Sequence, residues 1–141
     1  MDSTVRPYSK AYDILRTAGM RPTRQRLGLA RLLFEAGNRH VTAEQLSAES
    51  TSANMRVSLA TIYNTLNQFS EVGLLREVVV EPGRSYFDTN ISDHHHFFHE
   101  ETAQLQDIAG DAVAVGAIPA PPSGTCIERV DIIVRIKNID E

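Results

Sequence analysis

Four of the chain's five histidines lie between His94 and His99, directly after Asp93. Imidazole nitrogens at this density are suited to binding a transition-metal ion. Successive side chains of an extended strand point to opposite faces, so His94 and His96 would share one face and His95 the other. The cluster therefore predicts a ligand-binding site that can serve two environments.

The remaining composition limits the class of protein. Cys126 is the single cysteine, which excludes an internal disulfide and any zinc site built from paired Cys-x-x-Cys elements. We interpret it as a small buried hydrophobe, with a redox role as the alternative. No apolar run reaches the roughly 18 residues that a membrane span needs, and the first residues do not form a signal peptide. We therefore expect a cytoplasmic protein without a membrane partner.

Charge is distributed unevenly along the chain. The net charge is −4, but residues 1–90 sum to +2 and residues 91–141 to −6. The segment 6–39 alone holds eight basic residues against two acidic ones. A basic half beside an acidic half is typical of a protein that binds phosphate with one face, although solvated helix faces would give the same count.

Four helices are predicted in the basic half. They cover residues 7–18, a segment capped by Thr23 and ending at Gly37, residues 43–53, and a segment capped by Ser58 and ending at Gly73. The last helix has a polar, uncharged exposed face, which is unusual for a helix that needs only solubility. The residues of this face are Thr61, Tyr63, Asn64, Thr65, Asn67 and Gln68.

A strand over 75–80, a type II turn over 81–84 and a return strand over 85–88 follow these helices. Helices followed by a hairpin predict a winged helix, in which the fourth helix enters the major groove of DNA and Arg84 contacts a phosphate. We assign residues 1–90 to this DNA-binding domain.

Residues 91–141 are predicted to form a small α/β domain. It contains strands at 94–99 and 103–108, a weak helix at 111–118, a proline-rich connector and a strand at 126–137. A unit of this size would be marginal alone, so we expect it to pair with a second copy, and a twofold dimer suits palindromic DNA. The fold class expected for the whole chain is α+β.

Four segments in this order resemble the ferric uptake regulator family. They are AGMRPTRQR at 18–26, VTAEQL at 41–46, LATIYNTLNQF at 59–69, and GLL at 73–75 with the histidine cluster downstream. The resemblance implies a homodimeric winged-helix transcription regulator, not an enzyme, whose DNA affinity depends on a bound ligand.

This chain departs from the family pattern in ways that matter for ligand binding. Asn64 stands where the family usually has arginine, and both cysteines of the structural zinc site are absent after His96. What remains resembles the rhizobial-type iron response regulator subfamily, which senses haem through a histidine triplet. The resemblance thus implies haem at His94, His95 and His96, with Phe97 and Phe98 as aromatic contacts; a polar linker or a simple divalent-metal cluster are the alternatives.

The family's motifs also imply a divalent-metal site. Carried across position by position, its four ligands match His40, Asp88, His96 and Asp107, a set suited to Zn, Fe(II) or Mn(II). This alignment assumes one residue fewer between Asp88 and His94. The alternative is a surface His40 with solvated acids.

Contacts with DNA are predicted from the exposed face of the fourth helix and from the basic segment. Tyr63 would lie against thymine methyls, unless it is a core aromatic, and Asn64 would hydrogen-bond a base or phosphate. The predicted phosphate or minor-groove contacts are Ser58, Thr61, Arg16, Arg21, Arg24 and Arg84.

Two regulatory hypotheses follow. In the first, the homodimer binds operator DNA under iron limitation and is released or inactivated by haem. In the second, Fe, Mn or Zn at His40, Asp88, His96 and Asp107 acts as a corepressor. A metal-dependent hydrolase or a haem carrier is the rival from another class, but the sequence shows no Gly-rich phosphate loop, no His-Glu-x-x-His motif and no evident nucleophile and base.

Overall fold

The computed structural model describes residues 8–140, and the predicted start of the first helix at Pro7 lies outside that range. The chain divides into two compact units, of which the first ends at Ile91 and the second begins at Ser92. The regular structure of the first unit is mainly helical, whereas that of the second is mainly strand. This composition agrees with the α+β class expected from the sequence.

The first unit contains the four predicted helices. They are α1 (Ser9–Thr17), α2 (Arg24–Phe34), α3 (Ala43–Ser52) and α4 (Leu59–Glu71). Thr23, Thr42 and Ser58 cap the last three, each accepting a hydrogen bond from a backbone N–H in the first turn. Thr42 and Gln45 form a complete capping box. Local capping chemistry therefore determines where these helices begin.

A three-stranded antiparallel sheet completes the first unit. Its strands are β1 (His40–Val41), β2 (Arg76–Glu81) and β3 (Arg84–Asp88), in the order β1-β3-β2. Gly83 has a φ of +78°, which the third position of the turn between β2 and β3 requires. The two residues of β1 were not predicted; they pair His40 with Asp88 and Val41 with Phe87.

The core of the first unit lies between the helices and one face of this sheet. Leu33, Leu66 and Phe69 are fully buried there, and Val41 and Phe87 contribute the sheet's side. Because the sheet packs one face against the helices, side chains at alternate positions, including His40 and Asp88, project from its other face. The sheet thus separates the packing residues from candidate ligands.

The second unit is a mixed three-stranded sheet. Its strands are β4 (His94–His99), β5 (Gln104–Ala109) and β6 (Ile133–Ile136), in the order β5-β4-β6. The central strand β4 runs antiparallel to β5 and parallel to β6. His94, His96 and Phe98 are its buried residues, and the first two lie on one face, as strand alternation predicted.

Three predictions for the second unit are wrong. The helix at 111–118 is absent apart from a 3-10 turn (Gly110–Ala112), because valines, Gly116 and the following Pro119 disfavour helix and no apolar face is buried. The strand predicted at 126–137 is limited to the four residues of β6, because only these pair with β4. Cys126 is exposed and is not a buried hydrophobe.

The helices of residues 8–140 are all too short or too polar to cross a lipid bilayer.

Candidate functional site

Two buried histidines and a carboxylate meet on one face of the second unit. The Nε2 atoms of His94 and His96 lie 3.4 and 3.5 Å from Oδ1 of Asp107. The strands produce this meeting, because β4 places His94 and His96 on the same face and His96 is the register partner of Asp107 on β5. One donor atom from each of the three residues lies within 4.8 Å of the other two.

These separations fit the ligand shell of a metal ion. A tetrahedral ion with bonds of about 2.0–2.1 Å holds neighbouring ligand atoms about 3.3 Å apart. The ring of His94 is also oriented for ligation, since its Nδ1 lies 2.6 Å from the Ser92 carbonyl oxygen. Donation of the Nδ1 proton to that oxygen leaves the Nε2 lone pair for a metal. The mixture of imidazole nitrogens and a carboxylate therefore suits a divalent cation such as Zn, Fe(II) or Mn(II).

A second pair of donors lies in the first unit. Nε2 of His40 is 3.3 Å from Oδ2 of Asp88, because the two residues are directly opposed on β1 and β3. Asp88 is 1% exposed, and its other oxygen accepts the Asn90 N–H at 2.8 Å. Arg76, also buried, is opposite Asp88 on β2. A histidine nitrogen and a carboxylate oxygen are both ligand types that divalent cations such as zinc and iron accept.

The structure thus modifies the predicted ligand set. His94, which the resemblance assigned to haem alone, lies beside His96 and Asp107. Strand alternation could have indicated this position, because it places His94 and His96 on the same face of β4. His95 lies on the opposite face, where its Nδ1 accepts the Ile132 N–H at 3.2 Å. With Nδ1 acting as acceptor, the neutral ring carries its proton on Nε2, which opposes ligation through that atom. The triplet is therefore divided between the two faces of β4.

Gly110 offers a test of how tightly the second-unit cluster is held. A Cβ at this position would lie 2.7 Å from the backbone oxygen of Asp93, the residue before His94. We expect Gly110→Ala to displace the start of β4, lower the free energy of unfolding by about 1–3 kcal/mol and weaken metal binding. Urea unfolding and a metal titration would measure both effects. Gly116→Ala is the control, because its Cβ would meet no atom within 4 Å; equal losses in both variants would contradict the expectation.

Most of the predicted DNA-contacting residues lie on or next to α4 and near the junction of α1 and α2, and Arg84 begins β3. The hydroxyls of Ser58 and Thr61 take part in the helix cap. The Ser58 hydroxyl accepts a hydrogen bond from the Thr61 N–H at 3.1 Å and donates one to the Thr61 hydroxyl at 2.9 Å. Asn64 is exposed, as are Arg16, Arg21 and Arg24. Arg84 forms an ion pair of 3.2 Å with Glu81, which partly neutralises its charge.

Tyr63 is an exposed residue rather than a core aromatic, with 40% of its surface accessible. Its hydroxyl donates a hydrogen bond of 2.7 Å to Oε2 of Glu44 on α3. This bond raises the pKa of Tyr63 above its ordinary value of 10, and desolvation and the charge of Glu44 act in the same direction. The hydroxyl is therefore held by a carboxylate, and the ring remains the part of Tyr63 that is free to contact DNA.

The Tyr63 bond predicts a pH effect. The neutral phenol is the form favoured in the folded state, so its contribution to stability is present below pH 10 and is lost as the pH rises through the raised pKa. We expect Glu44→Gln to lower the pKa of Tyr63 toward its ordinary value, as measured by tyrosinate absorbance. Glu71→Gln, at the other end of α4, is the control. An unchanged titration in Glu44→Gln would contradict the assignment.

One basic residue at this surface was missed by the sequence analysis. Arg26 on α2 reaches the exposed side of α4, where its Nη2 donates to Oε1 of Gln68 at 3.2 Å. Its Nη1 donates to the Arg21 carbonyl oxygen at 2.9 Å. Arg26 enters the sequence analysis only as the end of the segment 18–26, and the hydrogen bond to Gln68 shows which surface it reaches.

Comparisons with known proteins agree on one family. The model of the ferric uptake regulator family matches residues 17–117. Over 100 residues the chain is 32% identical to the ferric uptake regulation protein of Shigella flexneri, covering 70% of this chain and 68% of that protein. It is 33% identical over 93 residues to the peroxide-responsive repressor PerR of Staphylococcus aureus, covering 66% of this chain and 62% of that repressor.

A solved structure agrees with the observed fold. The ferric uptake regulator of Vibrio cholerae superposes with a TM-score of 0.69 at 21% sequence identity, covering 89% of this chain and 98% of that one. At this level of identity, the similarity extends to the fold.

Proposed function

Because this chain belongs to the ferric uptake regulator family, we propose that it is a metal-responsive transcription regulator that binds operator DNA more tightly when a divalent cation is bound. The observation that carries the proposal is the cluster of His94, His96 and Asp107, whose donor atoms are spaced as a metal shell requires. The protein acts by binding, not by catalysis.

We propose that the ion completes its shell with His40 and Asp88. The second unit supplies two imidazoles and one carboxylate, and the first supplies one further donor of each kind. A cation that draws ligands from both units would favour one arrangement of the DNA-binding unit over others, which is the coupling that a corepressor needs. Iron, manganese and zinc all suit this mixture of nitrogen and oxygen donors.

For DNA binding, we propose that the first unit acts as a winged helix. Its four helices are followed by the hairpin of β2 and β3, and α4 has an exposed face of hydroxyl and amide side chains. In this arrangement α4 enters the major groove, Tyr63 and Asn64 contact bases, and Arg84 in the hairpin contacts the backbone. Ser58, Thr61, Arg16, Arg21 and Arg24 contact phosphate or the minor groove.

We further propose that the second unit forms a homodimer. It leaves several large apolar side chains about half exposed, which is costly in water for so small a unit. These residues are Val115, Ile118, Ile127, Val130 and Val134. A second copy would cover them and would match the two halves of a palindromic operator.

Metal content and DNA selection test this proposal together. We expect elemental analysis to find one divalent ion per chain, removed by a chelator and restored by Zn, Mn or Fe(II). Incubation of the metal-loaded protein with genomic fragments should enrich a palindromic sequence. Failure to bind any of the three ions, or failure to enrich a sequence, would overturn the proposal.

Haem is the second candidate ligand, with the opposite effect on DNA. The observation that favours it is the histidine triplet beside Phe97 and Phe98, which resembles the iron response regulator subfamily. An open pocket of about 560 Å³ adjoins His95. Its lining has the acidic Asp93, Asp111 and Glu128 against the basic Arg129, and this negative balance would repel haem propionates. In this version the dimer binds operator DNA under iron limitation and haem releases it.

An optical titration decides between the two ligands. A haem regulator should give a Soret shift saturating at a fixed haem-to-chain ratio, lost on changing His94, His95 and His96 to alanine, and should release DNA on haem addition. A regulator responding only to a divalent metal should show neither effect.

A further inference from the structure

The recognition helix proposed for this protein carries no positive charge. Between Leu59 and Glu71, α4 has no lysine or arginine, and its charged residue is the acidic Glu71. DNA, in contrast, carries a negative charge on every nucleotide, and neutralising phosphates supplies much of the binding free energy. A positively charged side chain that neutralises phosphate beside α4 would therefore come from another element.

Arg26 is the residue placed to supply it. Its guanidinium crosses from α2 to the exposed side of α4 and is fixed there by two hydrogen bonds, one to the side chain of Gln68 and one to the carbonyl of Arg21. A guanidinium has five N–H donors in a planar fork. These two bonds orient the fork while leaving further donors for an anion.

The space beside this guanidinium is an open notch of about 420 Å³ between α2 and α4. Its lining contains two arginines, hydroxyls and side-chain amides but no carboxylate. The lining residues are Arg21, Thr23, Gln25, Arg26, Thr61, Asn64, Thr65 and Gln68. A notch with these donors and positive charge is suited to an anionic oxygen group.

We propose that this notch binds one phosphate of the DNA backbone, with Arg26 as the contacting residue and Gln68 as the residue that positions it. The inference rests on the proposed DNA-binding function and adds a phosphate contact to it. Thr61, which lines the same notch, supplies a hydrogen bond to the same group. The contact anchors α4 against the groove while Tyr63 and the exposed amides remain on its base-facing side.

The salt dependence of DNA binding tests the role of Arg26. For the full chain supplied with Zn²⁺ and a short mixed-sequence duplex, the logarithm of the binding constant should fall linearly with the logarithm of salt concentration. We expect Arg26→Gln to weaken binding by about tenfold and to reduce the magnitude of that slope by about 0.9, the value for one lost phosphate contact. Arg26→Lys should keep the slope, because it keeps the charge.

Arg31→Gln is the matched control. Arg31 lies on the same helix and loses the same charge, but it pairs with Glu35 at 3.5 Å and is absent from the notch. Its slope should equal that of the wild type. Gln68→Ala should weaken binding severalfold with the wild-type slope, since it disorders the guanidinium without removing its charge. Far-ultraviolet circular dichroism and urea unfolding would verify that each variant is folded.

The outcomes separate this inference from the function on which it rests. If the wild type binds the duplex and Arg26→Gln has an unchanged slope, or Arg31→Gln loses as much slope as Arg26→Gln, the notch is not a phosphate site. If the wild type binds no duplex with or without metal, both the DNA-binding function and the notch are wrong.

Discussion

Replacing His96 with alanine is expected to lower the affinity for a divalent cation by more than about 100-fold, because even removal of a residue that only orients a ligand costs about 10- to 100-fold. His96 is 1% exposed, and its Nε2 shares Oδ1 of Asp107 with His94. Competition with a chromophoric chelator would measure the change.

His99 provides the control for this variant. It is the same residue type on the same strand, but it lies on the opposite face of β4 and its Nε2 is 3.2 Å from Oε1 of Gln106. His99→Ala should bind metal as the wild type does. Comparable affinities in His96→Ala and the wild type would show that the ion, if any, binds elsewhere.

Replacing Phe69 with alanine is expected to give the largest loss of stability, about 3–5 kcal/mol in the free energy of unfolding. Phe69 lies on the buried side of α4 with 0% exposure, and its ring centroid is 6.2 Å from that of Phe34 on α2. The variant loses the burial of an aromatic ring and leaves a cavity between the helices. Urea unfolding followed by circular dichroism would measure the loss.

Val72 is the comparison for Phe69. It directly follows α4 and is 42% exposed, so Val72→Ala should change the free energy of unfolding by less than about 0.5 kcal/mol. A loss below about 1 kcal/mol in Phe69→Ala would mean that α4 does not pack as described. The position of every residue on its exposed face would then need revision.

The helices could be predicted because their signals are local. Thr23, Thr42 and Ser58 each cap a backbone N–H within three residues, and the apolar stripes behind them define the buried faces. The turn at Gly83 is equally local, since it depends on one residue with a positive φ.

Features that depend on distant pairing were harder to predict. The strand β1 has two residues and forms only because β3, more than forty positions later, pairs with it. The length of β6 is set by its register with β4, which no pattern within 126–137 reveals. The predicted helix at 111–118 did not form, because its local pattern is weak and no other element packs against it to stabilise it.

The candidate metal site was only partly predictable for the same reason. Strand alternation placed His94 and His96 on one face, and the family resemblance supplied Asp107. The inclusion of His94 required the distance to Asp107, and the orientation of the His95 ring required the hydrogen bond from Ile132. Neighbouring groups determine which imidazole nitrogen donates a hydrogen bond and which accepts one. Sequence spacing does not identify those neighbours.

The most direct test of the account is the affinity of the full chain for its selected operator, measured with and without a divalent cation in wild type, His96→Ala and His99→Ala. We predict that the cation tightens binding by about 5- to 150-fold in the wild type and in His99→Ala. It should have no effect in His96→Ala. Equal affinities of the wild type with and without the cation, or tighter binding after chelation, would contradict the proposed regulation by metal.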